Sequence, residues 1–144
     1  MTELRELKKL PFMKSDSARL KLRGEDRDRN IEDLAERLNE MVAFSYFDED
    51  QIVGCIWFAQ VNPNTCETWA ILDTCAKHYV REIYHCARAI LDEAQTTFRR
   101  IQAVVKADWP LAIRFVERLG FVREGRMRKF GPNGDDYYLY ARVK

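Results

Sequence analysis

The segment from Lys77 to Phe98 constrains this chain more than any other. Val80, Ile83, Tyr84, Ala87, Ile90, Leu91, Ala94 and Phe98 recur at spacings of three and four, which places them on one face of a helix. Runs rich in β-formers flank it: Glu67–Asp73 ("ETWAILD") before and residues 100–107 ("RIQAVVKA") after. A strand, a helix and a strand in immediate succession make a crossover unit. The two strands are therefore expected to lie parallel and adjacent in one sheet.

The remaining elements fall around that unit. Val42–Phe47 and Gln51–Val61 flank the acidic turn Asp48-Glu49-Asp50 and read as a hairpin, with "NPNT" at Asn62–Thr65 ending the second strand. Upstream, Ile31, Leu34, Ala35, Leu38 and Met41 form a helical stripe, with Asn30 as its cap and Glu32 and Asp33 in the first turn. Downstream, "DWPLAIRFVERLG" predicts a helix with the stripe Ala112, Phe115, Val116 and Leu119, Asp108 as cap and Gly120 as stop. Two final strands, Phe121–Phe130 and Asp135–Val143, surround the tight-turn dipeptide Asn133-Gly134. "TELRELKKL" (2–10) reads as a first strand, and the polar stretch from Phe12 to Asn30 as loop, short helix or arm. The expected order is strand, helix, three strands, helix, strand, helix, two strands, in one mixed α/β domain over residues 1–144.

Composition narrows the function classes. The 144 residues include 24 basic and 23 acidic side chains, a net charge of +1, which gives no global case for nucleic acid or a membrane surface. No run of about 18 apolar residues occurs, so no membrane-spanning helix is expected. "MTELRELKKL" lacks the apolar core of a signal peptide, so a cytoplasmic chain with reduced thiols at Cys55, Cys66, Cys75 and Cys86 is expected. A zinc site from Cys75, His78, His85 and Cys86 is disfavoured, because neighbours such as His85 and Cys86 point about 100° apart on a helix. No metal is expected.

The element order, with "ERLGF" closing a short helix before a final hairpin, resembles the GNAT superfamily of acyl-CoA-dependent N-acetyltransferases. The resemblance runs from Val42 to Val143. Its motif centre is Ala112–Phe121, where Ala112, Arg118, Gly120 and Phe121 match the family helix N-x-x-A-x-x-x-Y-x-K-x-G-F. The C-terminal stretch "GFVREGRMRKFGPNGDDYYLYARV" also resembles small GNAT-like proteins of tailed bacteriophages, among them an internal virion protein of short-tailed phages. The resemblance implies a mostly antiparallel sheet with one parallel βαβ pair and helices on both faces. It implies acetyl-CoA as cofactor and an amine as acceptor. The phage resemblance implies a protein partner in virion or host, host cytoplasm as the location, and allows a homo-oligomer.

Family chemistry enters only where residues carry it. The family's phosphate loop, R/Q-x-x-G-x-G/A, holds pyrophosphate on backbone amides at a helix start. Here it aligns with "HYVREI", which has no glycine. Lys77, His78, Tyr79, Val80 and Arg81 are the candidate cofactor-binding residues, with Lys77, His78 and Arg81 supplying charge; the bland reading is an ordinary helix start with Val80 and Ile83 in the core. The family's asparagine falls on Trp109 and its proton-donating tyrosine on Val116, which donates nothing. Glu67 and Asp73, flanking the central strand, are the candidate bases, and Tyr137, Tyr138 and Tyr140 offer replacement hydroxyls, with Tyr138 the chosen candidate. Against these stand strand-end carboxylates and packing tyrosines. Arg123, Arg126, Arg128 and Lys129 could contact nucleic acid or another acidic partner. Strict alternation splits them, Arg126 and Arg128 on one face and Arg123 and Lys129 on the other, which favours a charged edge that blocks aggregation.

Overall fold

The computed structural model describes residues 4–19 and 42–144. The helix expected over residues 30–41 lies outside them. Seven strands form one sheet: β1 (Lys8–Pro11), β2 (Val42–Asp48), β3 (Gln51–Asn62), β4 (Thr65–Leu72), β5 (Arg100–Lys106), β6 (Val122–Met127) and β7 (Tyr137–Val143). Their order is β1-β2-β3-β4-β5-β7-β6. The helices are α1 (Lys14–Arg19), α2 (Val80–Ala94) and α3 (Pro110–Arg118), with a short 3-10 helix at Thr74–His78. The fold is α/β, the sheet mostly antiparallel, with β4 and β5 as its parallel pair. The chain packs as two compact units, Met1–Ala59 with Trp69–Cys86 and Gln60–Thr68 with Ala87–Lys144.

In the first unit the β2–β3 hairpin turns through Glu49, whose φ of 53° places it in the left-handed region. The register shifts at Tyr46/Phe47, so Val53 is the extra residue of a bulge. The bulge shifts the alternation by one residue, so that Ile52 shares a core with Cys55 and Trp57 while Val53 faces the other side. Ile52 joins Phe47, Cys55, Trp57 and Ile71, with Phe12 packed against them. Val53 joins Leu7 and Tyr79, with Ile83 and Cys86 of α2 against them. The first core lies on the side of α1, where buried Asp16 accepts from the Ser45 hydroxyl at 2.8 Å and from the Met13 N–H at 2.9 Å. The second core is covered by the start of α2, so helices flank the sheet on both faces.

In the second unit β4 pairs with β5 over Thr65↔Arg100, Cys66↔Ile101 and Glu67↔Gln102, the parallel arrangement that a crossover requires. Strand β5 pairs with β7 along its whole length, and β7 with β6. Ile90, Leu91, Ile101, Leu119, Phe121 and Tyr140 are buried.

Four expectations need correction. The helix does not begin at Lys77: Asp73 caps a separate 3-10 turn, accepting from Cys75 N–H at 2.9 Å, and α2 starts at Val80. It ends at Ala94 rather than Phe98, where the Thr96 hydroxyl bonds back to the Glu93 carbonyl, a backbone-competing habit of threonine. Asp108 does not cap α3. Pro110 takes the first helical position, so the cap position falls on Trp109, which makes no side-chain cap bond. The basic strand is not split as alternation predicts. A register shift between Arg123 and Gly125 makes Glu124 an extra residue, and Arg123 and Arg126 face Tyr140 and Tyr138 on one side. Arg128 and Lys129 lie beyond the strand end at Met127.

Gly54 allows β3 to lie close against the end of β4. A Cβ there would stand 2.7 Å from Leu72 Cδ2 and 3.0 Å from the Ile71 carbonyl oxygen. A side chain can turn away, but the carbonyl cannot. Gly54→Ala is expected to lower stability by about 1–3 kcal/mol, read as a reduced denaturant midpoint; an unchanged midpoint contradicts the close approach.

Candidate functional site

The strongest chemical feature of the first unit is the turn between β4 and α2. Asp73 ends the strand in extended conformation (ψ 157°) and its carboxylate is 1% exposed. Its cap bond starts the 3-10 helix, which closes when the Tyr79 N–H donates to the Ala76 carbonyl. The first bond of α2 runs from Ile83 N–H to the Tyr79 carbonyl at 2.8 Å, so the amides of the three residues before Ile83 precede any i→i−4 bond. Lys77, His78 and Arg81 are exposed around this junction. Val80 is 55% exposed. The expected core role of Val80 is therefore corrected: as the first helical residue it sits past the end of the stripe that Ile83, Ile90 and Leu91 continue inward.

Tyr79 points the other way. It is buried, its hydroxyl donates to Asp48 Oδ2 at 2.7 Å, and that bond raises its pKa. It is a wall of the turn, not a group open to ligand. The structure thus gathers Asp73, Lys77, His78, Tyr79, Val80 and Arg81 into one short segment. Of these, Lys77, His78, Val80 and Arg81 reach its outer surface.

The second unit separates the other candidates. Glu67 on β4 is half-buried and accepts from Gln102 Nε2 at 2.8 Å. Gln102 in turn accepts from Arg100 Nε at 3.0 Å, and Arg100 forks onto Glu124 at 2.6 and 3.0 Å. This bonding lowers the pKa of Glu124. The pairs Glu67↔Gln102 and Gln102↔Ala141 set one face of the sheet. Tyr138, three residues before Ala141, belongs to the opposite face. Glu67 and Tyr138 are not brought together.

On the Tyr138 face the Arg123 guanidinium lies 3.7 Å from the centre of the Tyr138 ring. It also donates through Nε and NH2 to the Tyr140 hydroxyl at 3.1 and 3.0 Å. Tyr140 donates to Glu117 Oε2 at 3.0 Å. Tyr140 is fully buried, and burial pushes its phenol pKa up. Arg126 bonds Asp136 Oδ2 at 2.8 Å. These arginines are therefore engaged within the unit.

The cysteines are not poised nucleophiles. Burial pushes the thiols up, to about 12 for Cys55 and about 11 for Cys66 and Cys75. Among the described residues, no cluster of three or more His, Cys, Asp or Glu has metal-holding geometry. No helix among them is long and apolar enough to cross a membrane.

Sequence reasoning missed Arg5, Asp48, Glu82, Gln102 and the Glu117–Tyr140–Arg123 chain. These pairs are 17 to 77 residues apart, and no local pattern announces them.

Comparison with known proteins bears on the fold and the family. No curated protein matched. Among solved structures, a mutant spermidine N-acetyltransferase SpeG from Vibrio cholerae superposes with a TM-score of 0.74 at 17% identity, covering 96% of this chain and 94% of that one. A GNAT-family acetyltransferase from Bacillus anthracis superposes at 0.75, 20% identical, covering 98% and 96%. An N-acetyltransferase from Staphylococcus aureus gives 0.72 at 15%, covering 96% and 99%. At these identities the likeness establishes the fold. The sequence model of the acetyltransferase (GNAT) domain matches residues 4–138, and so the chain belongs to the GNAT acetyltransferase family.

Proposed function

We propose that this protein transfers an acyl group, acetyl in the first instance, from coenzyme A to an amine, and that the β4–α2 junction holds the cofactor's pyrophosphate. The observation that carries the reading is the start of α2. Three amides precede the first helical bond, and Lys77, His78 and Arg81 are exposed around them. A helix end with outward N–H groups favours phosphate, and cations beside it add attraction. Val80 at the outer surface replaces the usual glycine contact, so the phosphate is held with more help from side-chain charge.

The chemistry needs little else. The amine nitrogen attacks the thioester carbonyl, the C–S bond breaks, and the amine's proton goes to a base, directly or through water. Between the two candidates the bonding favours Glu67. Gln102 holds one of its oxygens and orients the carboxylate. Asp73 is buried and engaged at the head of the 3-10 turn, so its role is structural. The leaving thiolate finds no hydroxyl at Val116, and Tyr138, on the opposite face of the sheet from Glu67, does not serve the same reacting centre, so the thiolate takes its proton from water.

A second reading has specific support. The turn lacks glycine, and Trp109 and Val116 stand where the family's asparagine and tyrosine fall. These favour a GNAT-fold protein that contacts a virion or host protein without acyl transfer, as the resemblance of the C-terminal stretch to phage proteins suggests. A host-cytoplasm location goes with that reading. A nucleic-acid contact through Arg123 and Arg126 is weakened by their bonds to Tyr140 and Asp136.

Calorimetric titration with acetyl-CoA and with free CoA is expected to show micromolar binding of both; no heat and no thermal shift at millimolar cofactor would sink the transferase reading. With an acceptor amine in hand, Glu67→Gln is expected to lower kcat by about 10²-fold with little change in the KM for acetyl-CoA, and an undiminished kcat removes Glu67 as base. Asp73→Asn keeps an oxygen acceptor for Cys75 N–H and is expected to retain turnover. Asp73→Ala is expected to cost about 1 kcal/mol of stability. If Asp73→Asn instead abolishes turnover in a stable protein, Asp73 is the base.

A further inference from the structure

Arg5 touches the β4–α2 junction at several points. Its backbone N–H donates to Glu82 Oε2, in the first turn of α2, at 3.3 Å. Its side chain donates through NH2 to the His78 carbonyl at 3.2 Å. NH1 lies 3.5 Å from Asp48 Oδ2, the same oxygen that accepts from the Tyr79 hydroxyl. The guanidinium also covers the Tyr79 ring, 4.5 Å from its centre. Residues from the N-terminal segment and from the β2–β3 hairpin thus enclose His78, Tyr79 and Glu82.

We propose that Arg5, backed by Asp48, is a positioning residue for cofactor binding: it locks the backbone from His78 to Glu82 in the conformation that presents the α2 amides to a phosphate group. The proposal rests on the acyl-CoA reading and deepens it. A glycine loop achieves close approach through its missing side chains. This turn carries side chains at every position, so its amide directions must be fixed by bonds from outside. A loosely held turn would be ordered only at the expense of binding. Arg5 holds it beforehand. The Arg5 guanidinium also offsets the partial negative charge of the His78 carbonyl and adds a cation beside Lys77, His78 and Arg81. Because Arg5 is itself half-exposed at 52%, its removal leaves the cores intact.

The test compares wild type, Arg5→Ala and Arg5→Lys, using CoA and acetyl-CoA as probes. Arg5→Ala is expected to weaken CoA binding and raise the KM for acetyl-CoA about tenfold, with kcat and the amine KM within about twofold. Arg5→Lys is expected to recover only part of the affinity, since one ammonium cannot serve the His78 carbonyl and Asp48 as a planar fork does. Amide hydrogen exchange at Tyr79 and Ile83, whose N–H groups are bonded to the Ala76 and Tyr79 carbonyls, is expected to speed up in Arg5→Ala while Ile101–Val105 stays protected. Unchanged CoA affinity in a folded Arg5→Ala protein overturns the proposal and leaves the acyl-CoA reading standing. Faster exchange throughout the chain also overturns it, because Arg5 would then be a general stability contact. If wild type binds no CoA, the acyl-CoA reading itself fails and the cofactor role of Arg5 with it.

Discussion

The bond from Cys75 N–H to the buried carboxylate of Asp73 is the constraint on which the rest of this structure turns. It stops β4, starts the 3-10 helix and so fixes where α2 begins. A helix running unbroken from Lys77 would carry its first amides elsewhere. With the cap in place, Tyr79 turns inward to Asp48, and Val80, Arg81 and Glu82 become the first turn. The same carboxylate is thereby committed. Glu67, by contrast, is held by a neutral glutamine, and it is the base in the function proposed above.

Much of the fold was legible because periodicity reports burial. The β2–β3 hairpin, the crossover from β4 to β5 and the terminal β6–β7 pair arise from period-two and period-3.6 patterns that the cores enforce. The features that escaped were those that break a period. The bulges at Val53 and Glu124 each insert one residue, and each reverses the face taken by the residues after it. Alternation therefore placed Arg123 and Arg126 on opposite sides, where the structure stacks both against Tyr138. Trp109 took the cap position from Asp108 because Pro110 fixes the first helical residue, a rule visible in the sequence but outweighed by the usual preference for aspartate. The candidate site was legible as a segment, from Lys77 to Arg81. The group that holds that segment was not, since Arg5 lies 73 residues before the carbonyl it serves.

The departures from the family pattern also acquire physical form. Val116 has no hydroxyl to offer a leaving thiolate. On the next residue, Glu117, a carboxylate accepts a hydrogen bond from the buried Tyr140 hydroxyl, whose oxygen in turn accepts from Arg123. That chain ties α3 to β7 and β6 and leaves Arg123 bonded on both edge and face. With Arg126 held by Asp136, it explains why a strand rich in arginine presents little unengaged charge at Arg123 and Arg126. Family membership thus rests on the fold and the sequence pattern, while the chemistry depends on whether the turn before α2 still grips phosphate.

The most direct measurement is a titration of the amide resonances of the isotope-labelled protein with CoA. If the helix start holds the pyrophosphate, the largest shifts fall on the amides of Val80, Arg81, Glu82 and Ile83 and saturate together at micromolar CoA. Shifts that leave those four amides unmoved, or no shifts at millimolar CoA, contradict the account.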